Sequence, residues 1–342
     1  NTIGIFAFRE CRSLTSVTIP NSVTNIGDAA FVLCDNLTSV TIPSSVTTIK
    51  PDTFGSCSRL TSVTIPNSVT NIGSGAFASC STLQSVTIPA CVTSIGTQAF
   101  YLCSKLADVT VPDGVTSIRD SLFRECSSLT NATLPASVIN IENNAFNFCG
   151  KLTNITIPSN VTNIGTYAFS SCSFKNLVIP NSVVSIGDNA FSSCNILTNI
   201  IIGSGVTSIG DGAFGKCTRL TVINVDTNNR SYISLNGILF NKGQTVLIQC
   251  PANKAGDCPI PASVTNIGSQ VFLSCTKLTS ITVDAFNSVY SSSYGVLYNK
   301  SQTTLLQCPG GKAGSLTIPV GVTSIGNNAF YTCTSMTGVT IP

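Results

Sequence analysis

The chain has no histidine, no tryptophan and a single methionine, and only 9% of its 342 residues are charged, against about 25% in an ordinary soluble domain. Each shortage excludes a class of function. Without histidine, neither a Ser-His-Asp nor a Cys-His nucleophile can be assembled from this sequence. The cysteines have no C-x-x-C spacing or histidine partner from which to build a zinc site. The 14 carboxylates are scattered over turn positions such as Asp28, Asp188 and Asp211, where a carboxylate usually bonds its own backbone. No phosphate-cradling glycine motif is present. The sequence therefore predicts no enzyme, no cofactor and no metal. A net charge of +3 with no basic or acidic run gives too weak a field for nucleic acid. No apolar stretch approaches the ~20 residues of a membrane span, so no membrane insertion is expected of these residues. The opening residues Asn1–Phe6 lack the basic and apolar regions of a signal peptide. The chain starts and stops inside a repeat, and so reads as part of a longer protein.

What is abundant is periodic. Phe recurs at 8, 31, 54, 77, 100, 123, 146 and 169, every 23 residues, then at 191, 214, 272 and 330, and each of these Phe is followed three residues later by Cys. Leu37-Thr-Ser-Val40-Thr-Ile42-Pro43 shows the rest of the unit. Val40 and Ile42 alternate inward with the strand period of two, leaving Ser39 and Thr41 outside. Pro43 ends the strand because it has no N–H to give. Val46–Ile49 reads as a second short extended segment. Pro51–Cys57 reads as a turn or one helical turn, with Phe54 and Cys57 on one face. Period and L-x-x-L-x-L pattern together predict a strand-dominated α/β repeat. The expected fold is a right-handed leucine-rich-repeat solenoid of about twelve units over 1–342, read as one domain. Its inward ladders are aliphatic, Phe and Cys. No unit can bury its apolar side alone, so stacking must supply the core.

Two units are longer, with inserts at 227–261 and 285–319. Gly237–Pro251 and Gly295–Pro309 repeat each other at a shift of 58, and apolar runs flank Asn241-Lys-Gly-Gln and Asn299-Lys-Ser-Gln. Each insert is expected to contain a β-hairpin.

Twelve cysteines occupy one repeat position, which points to a small buried apolar residue rather than to chemistry. Cys250 and Cys258 lie off that ladder, and a disulfide between them is one possibility. Cys91 stands where other units have Ser22 or Ser45, and is expected to be exposed and reactive. Asn-x-Ser/Thr sequons occur at Asn36, Asn131, Asn154, Asn160, Asn229 and Asn299. Sugars on Asn131 or Asn154 would cover part of the strand face.

The unit Leu60-Thr-Ser-Val-Thr-Ile-Pro…Ala76-Phe77-x-x-Cys80 resembles the BspA-like leucine-rich repeat, and the resemblance extends over the whole chain. It implies a surface or secreted protein of the kind found in oral and gut bacteria and in anaerobic protists. It implies adhesion to host matrix proteins, host cells or other microbes, and it brings no catalytic residues. The expected function is non-enzymatic binding at a cell surface or outside the cell. The partner is a protein or glycan on host or neighbouring cells, held by the strand face or the hairpins. An end-to-end structural array, with self-association, is the alternative, and an ice-binding threonine array a more remote one.

The outward strand residues are mostly hydroxyls, as in Ser16/Thr18, Ser39/Thr41 and Ser62/Thr64. The character changes at Asn176/Val178, Asn199/Ile201 and Val222/Asn224. Three neighbouring aliphatics on a hydroxyl-rich face form a candidate contact patch, with Lys175 and Asp226 at its rim.

Overall fold

A computed structural model describes residues 1–342. The chain folds as two compact units, one of Asn1–Phe174 with Ser182–Phe191, the other of Lys175–Asn181 with Ser192–Pro342.

The first unit is a coil of short parallel strands. On one side Ser39–Thr41 pairs with Ser16–Val17 and with Ser62–Thr64. Further along, Asn131–Thr133 lies between Asp108–Thr110 and Asn154–Ile155. Asn71–Ile72 bridges Thr48–Ile49 and Ser94–Ile95 in a second row, which Asn140–Ile141 and Asn163–Ile164 continue. Register equals the sequence period: Ser39 faces Ser62, and in the one 22-residue step Asn163 faces Ser185. A slip of one residue would turn every Val and Ile of a strand out to water.

Hydroxyls reinforce the ladder. Thr38 Oγ1 donates to Thr15 O at 3.1 Å, and Thr61 Oγ1 to Thr38 O at 3.1 Å. Cys91 belongs to such a row: its Sγ donates to Val69 O at 3.2 Å, as Ser68 Oγ does to Val46 O at 2.7 Å. Its thiol also reaches Asn67 O at 2.8 Å, and it is half-buried rather than exposed.

The Phe–Cys segment is a chain of turns. No helix forms anywhere, so the solenoid consists of strands and turns alone. The reason lies in the backbone. The residues two before and two after each ladder Phe adopt positive φ, as at Ala29 (50°) and Leu33 (62°) around Phe31, and Asn144 (55°) and Phe148 (61°) around Phe146, except at Phe272, where only Ser274 (65°) does. A helix cannot run through such residues. The conformation aims alternate N–H groups at the next coil, so Phe31 N bonds Thr53 O and Phe54 N bonds Ala76 O, both at 2.9 Å, while Ala30 N and Val32 N between them bond within their own turn. Turn and coil contacts together outweigh a local cost of order 1 kcal/mol or more per left-handed residue.

Inside, the Phe rings from Phe8 to Phe169 stack at centroid distances of 4.9 to 5.7 Å, and Phe169 stacks on Phe191 at 5.4 Å. Phe174, which stands where most coils have Leu, meets Phe169 and Phe191 edge-on. Each buried cysteine of this unit donates its S–H to the Phe carbonyl of the preceding coil, as in Cys57 to Phe31 O at 3.3 Å and Cys149 to Phe123 O at 3.0 Å. Burial pushes the Cys34 thiol up to about 11 and that of Cys57 up to about 12, so these buried thiols stay protonated and unreactive at neutral pH.

The second unit opens with three parallel strands, Asn176–Ile179, Asn199–Ile202 and Val222–Val225. Its inserts are antiparallel meanders. Tyr232–Leu235 pairs with Ile238–Asn241, which pairs with Val246–Gln249, which rejoins the coil beside Asn266–Ile267. Tyr290–Ser293, Val296–Asn299 and Thr304–Gln307 repeat the arrangement and end beside Ser324–Ile325. The expected loop at Asn241–Gln244 is the second turn of the insert. The first is a two-residue loop, Asn236-Gly237, with φ of 51° and 79°. That is the type I′ turn whose twist matches the strands it joins.

Two buried asparagines hold these inserts. Asn229 gives Nδ2 to Gly203 O and Val206 O, and takes the N–H groups of Ser231 and Tyr232 on Oδ1. Asn287 does the same with Pro261 O, Val264 O, Val289 N and Tyr290 N. The sequon at Asn229 is thus buried and fully hydrogen-bonded, and the folded chain offers no site for a sugar there. All sixteen cysteines are free thiols, so the possible Cys250–Cys258 disulfide is absent.

Candidate functional site

The six residues singled out from the sequence share one panel of the second unit. In register, Asn176, Asn199 and Val222 form one row, and Val178, Ile201 and Asn224 the next. Inward neighbours Leu177, Ile200 and Ile223 are buried, which fixes the panel against the core and turns the six outward by strand alternation. Val178 is 58% exposed and Ile201 38% exposed. They lie side by side, so their apolar surfaces are contiguous.

Val222 differs from its two companions. It stands diagonal to Ile201, not beside it, and is half-buried. Its cover is the first insert turn: a Cβ on Gly237 would come within 3.1 Å of Val222 Cγ2. Gly237 O accepts Ile223 N–H at 3.1 Å, and Ser234 Oγ donates to Ile223 O. The turn therefore caps the open edge of Val222–Val225 and stands as a wall beside the patch. Covering an edge strand removes a template for unwanted pairing.

The polar members are tied down. Asn224 Nδ2 donates to Asn199 Oδ1 at 2.7 Å, and Thr198 Oγ1 donates to Asn176 Oδ1 at 3.2 Å. Such linked amides present fixed donors and acceptors around the two aliphatics, which lowers the ordering cost of any contact. Of the rim charges, Lys175 is exposed. Asp226 points Oδ1 at Asn228 N, 2.8 Å away, and so shapes the entry to the insert. The sequons at Asn131 and Asn154 face each other in the first unit and line a groove of about 310 Å3.

Two exposed aromatics escaped the sequence reading. Phe286 is 90% exposed and Tyr294 82% exposed. The signal was present: shifted by 58, they stand where the first insert has Asn228 and Asn236. Tyr294 occupies the left-handed position of the second insert turn, φ 50°, and its carbonyl accepts Lys312 Nζ at 2.7 Å.

No group of three or more His, Cys, Asp or Glu is placed to hold a metal ion. No helix is long and apolar enough to cross a membrane.

Comparison with known proteins agrees with this architecture. A leucine-rich repeat protein from Bacteroides ovatus is 28% identical, with a TM-score of 0.73 over 99% of this chain and 81% of that one. One from Eubacterium ventriosum is also 28% identical, with a TM-score of 0.56 over 69% of this chain and 60% of that one. No curated protein sequence matches the chain. The profile of the BspA type leucine rich repeat region, in six copies, matches residues 1–130, 116–246, 232–312 and 308–342. These matches run the length of the sequence, and the chain belongs to the BspA-type leucine-rich-repeat family.

Proposed function

We propose that this protein is a non-enzymatic adhesin, displayed at a cell surface or secreted, that binds a protein or glycan on a host or neighbouring cell. The observation that carries the reading is the adjacency of Val178 and Ile201, exposed side by side on a face otherwise built mostly of Ser, Thr and Asn. A solvated sheet face has no need of paired exposed aliphatics, whereas a contact surface gains from them, roughly 25 cal/mol per Å2 of apolar area covered. Asn176, Asn199 and Asn224 supply polar contacts around that centre, and the Gly237 turn bounds it on the Val222 side. The family and the fold are ones that typically bind rather than catalyse.

The test is binding of the purified chain to an array of matrix proteins, glycans and microbial surfaces, with Val178→Asp/Ile201→Asp alongside. Saturable binding that the double variant loses while keeping its melting temperature supports the reading. Equal binding by both proteins refutes the site.

A further inference from the structure

Each insert parts two consecutive Phe turns and leaves a cavity between them. The first, about 320 Å3, is lined by Asp211 from one turn, Ser269 and Gln270 from the next, and Tyr232 and Gln249 from the insert. The second, about 760 Å3, lies 58 residues on, with Ser269, Asn327, Asn328, Tyr290 and Gln307 in the corresponding places. The insert walls of both are fixed by the backbone. Tyr232 Oη accepts Ile209 N–H at 3.0 Å and donates to Thr207 O at 3.3 Å, and Tyr290 Oη donates to Thr265 O at 3.5 Å. Gln249 Nε2 donates to Cys250 O at 2.9 Å, and Gln307 Nε2 to Cys308 O at 2.9 Å. A cavity that recurs with the same held residues is a product of the insert and not a chance gap in packing.

The two differ in size and charge. Asp211 lines the smaller and takes a bond from Ser269 Oγ at 3.4 Å. No carboxylate lines the larger, whose one charged residue is Lys216. Its volume falls in the range of about 300–1,000 Å3 typical of small-molecule sites. Eight of its fifteen lining residues carry hydrogen-bonding side chains; Ser269, Tyr290 and Gln307 already bond within the protein, and a wall of this polarity suits a hydroxylated ligand better than an acyl chain. Asn, Gln and Tyr offer directional partners to a ligand with many hydroxyls. The exposed ring of Tyr331 provides an apolar surface, and the Lys216 ammonium a counter-charge for an acid.

We propose that the cavity of the second insert binds a sugar carrying an anionic group. The first cavity, smaller and bearing a carboxylate, does not. This site is separate from the strand-face patch, and the two readings stand or fall independently.

The test is calorimetric titration of the whole chain with a glucuronic-acid-containing disaccharide, its neutral glucose counterpart and sulfate. The acidic sugar should bind saturably and at least tenfold more tightly than the neutral one. Lys216→Gln should abolish that difference, and Tyr331→Ala should weaken both sugars. Ser269→Asp places a carboxylate in the larger cavity, with loss of the bond to Asp211, and should cost at least tenfold for the acidic sugar at a temperature where circular dichroism shows the variant folded. Val178→Asp/Ile201→Asp should bind as the parent does. Absence of saturable binding by either sugar overturns the proposal. So does sulfate binding as tightly as the acidic sugar, or affinity unchanged in all three cavity variants.

Discussion

The thiol of Cys80 donates to the carbonyl oxygen of Phe54 across 3.2 Å, so the Cys and Phe ladders are one bonded structure and not two columns packed side by side. Phe54 O also accepts Cys57 N–H at 3.3 Å, which engages both of its lone pairs inside the core. Cys80→Ala removes one donor and leaves a small void in a fully buried site. The expected loss is about 1–3 kcal/mol, read as a lower midpoint in urea denaturation. Cys11→Ala, at an exposed position, should change the midpoint by less than about 0.5 kcal/mol.

Alkali should destabilise the protein earlier than its carboxylate and lysine content suggests. Burial raises the Cys57 thiol to about 12, and those of Cys80, Cys103, Cys126 and Cys149 are pushed well above their ordinary value by the same cause. The folded state thus holds protons that the unfolded chain releases near pH 9. The stabilisation is complete below that pH and is lost as pH rises toward the folded-state values. The melting temperature should be flat from pH 7 to about 8.5 and then fall. A Cys57→Ala/Cys80→Ala variant should show a shallower fall, and an equally steep one would remove the thiols as its cause.

One thiol behaves in the opposite sense. Cys333, half-buried, is lowered by a hydrogen bond from Cys308, which is itself raised by that bond and by burial. Their sulfurs meet around one acceptor: Cys333 Sγ lies 3.5 Å and Cys308 Sγ 3.9 Å from Pro309 O. Iodoacetamide at pH 7.5 should alkylate Cys333 well ahead of Cys57 or Cys80. Cys308→Ala should raise the pH at which Cys333 reacts, and mass mapping of the labelled peptides reads both.

Tyr294 is a large side chain in a left-handed turn position that the sister insert fills with Asn236. Asn tolerates that conformation far better than an aromatic does. Tyr294→Asn should stabilise the chain by up to about 1 kcal/mol, seen as a higher melting temperature. Its side chain is so exposed that little burial is lost. No gain would mean that the turn imposes no strain on the aromatic.

The repeat could be read from the sequence because the same two residues, Phe and Cys, mark each coil at constant spacing. In a parallel coil, register follows from period, so Ser39 opposite Ser62 was in effect written in the chain. The chain of turns was hidden because left-handed φ falls on residues such as Leu33 and Phe148, which give no warning as Gly or Asn would. The first insert turn was overlooked although Asn236-Gly237 is a strong hairpin signal. The Asn-Lys-Gly-Gln loop five residues later carries a turn signal of its own, and in the sister insert Tyr294 obscures the motif. The cover over Val222 was not legible for the same reason, since it depends on where that turn lands. Alternation alone placed Val178 and Ile201 correctly on the outer face. The role of Asn229 was hidden because a sequon reads as a surface feature, and Asn287 has no motif to mark it, whereas here each amide satisfies four backbone groups.

The threonine and cysteine rows described above share a further property: each side chain closes its bond on the coil immediately before it, and on no other. A coil carries its own fastening. Excising or duplicating 23 residues in frame leaves every donor with an acceptor and shifts no register. The number of coils is then a free variable, set by gene length and not by packing, and the reach of the outer face can be lengthened or shortened in steps of one strand. The inserts at 227–261 and 285–319 are the exception. Each needs the coil before it to receive its turn, so any change of copy number must treat a 58-residue block as a single piece.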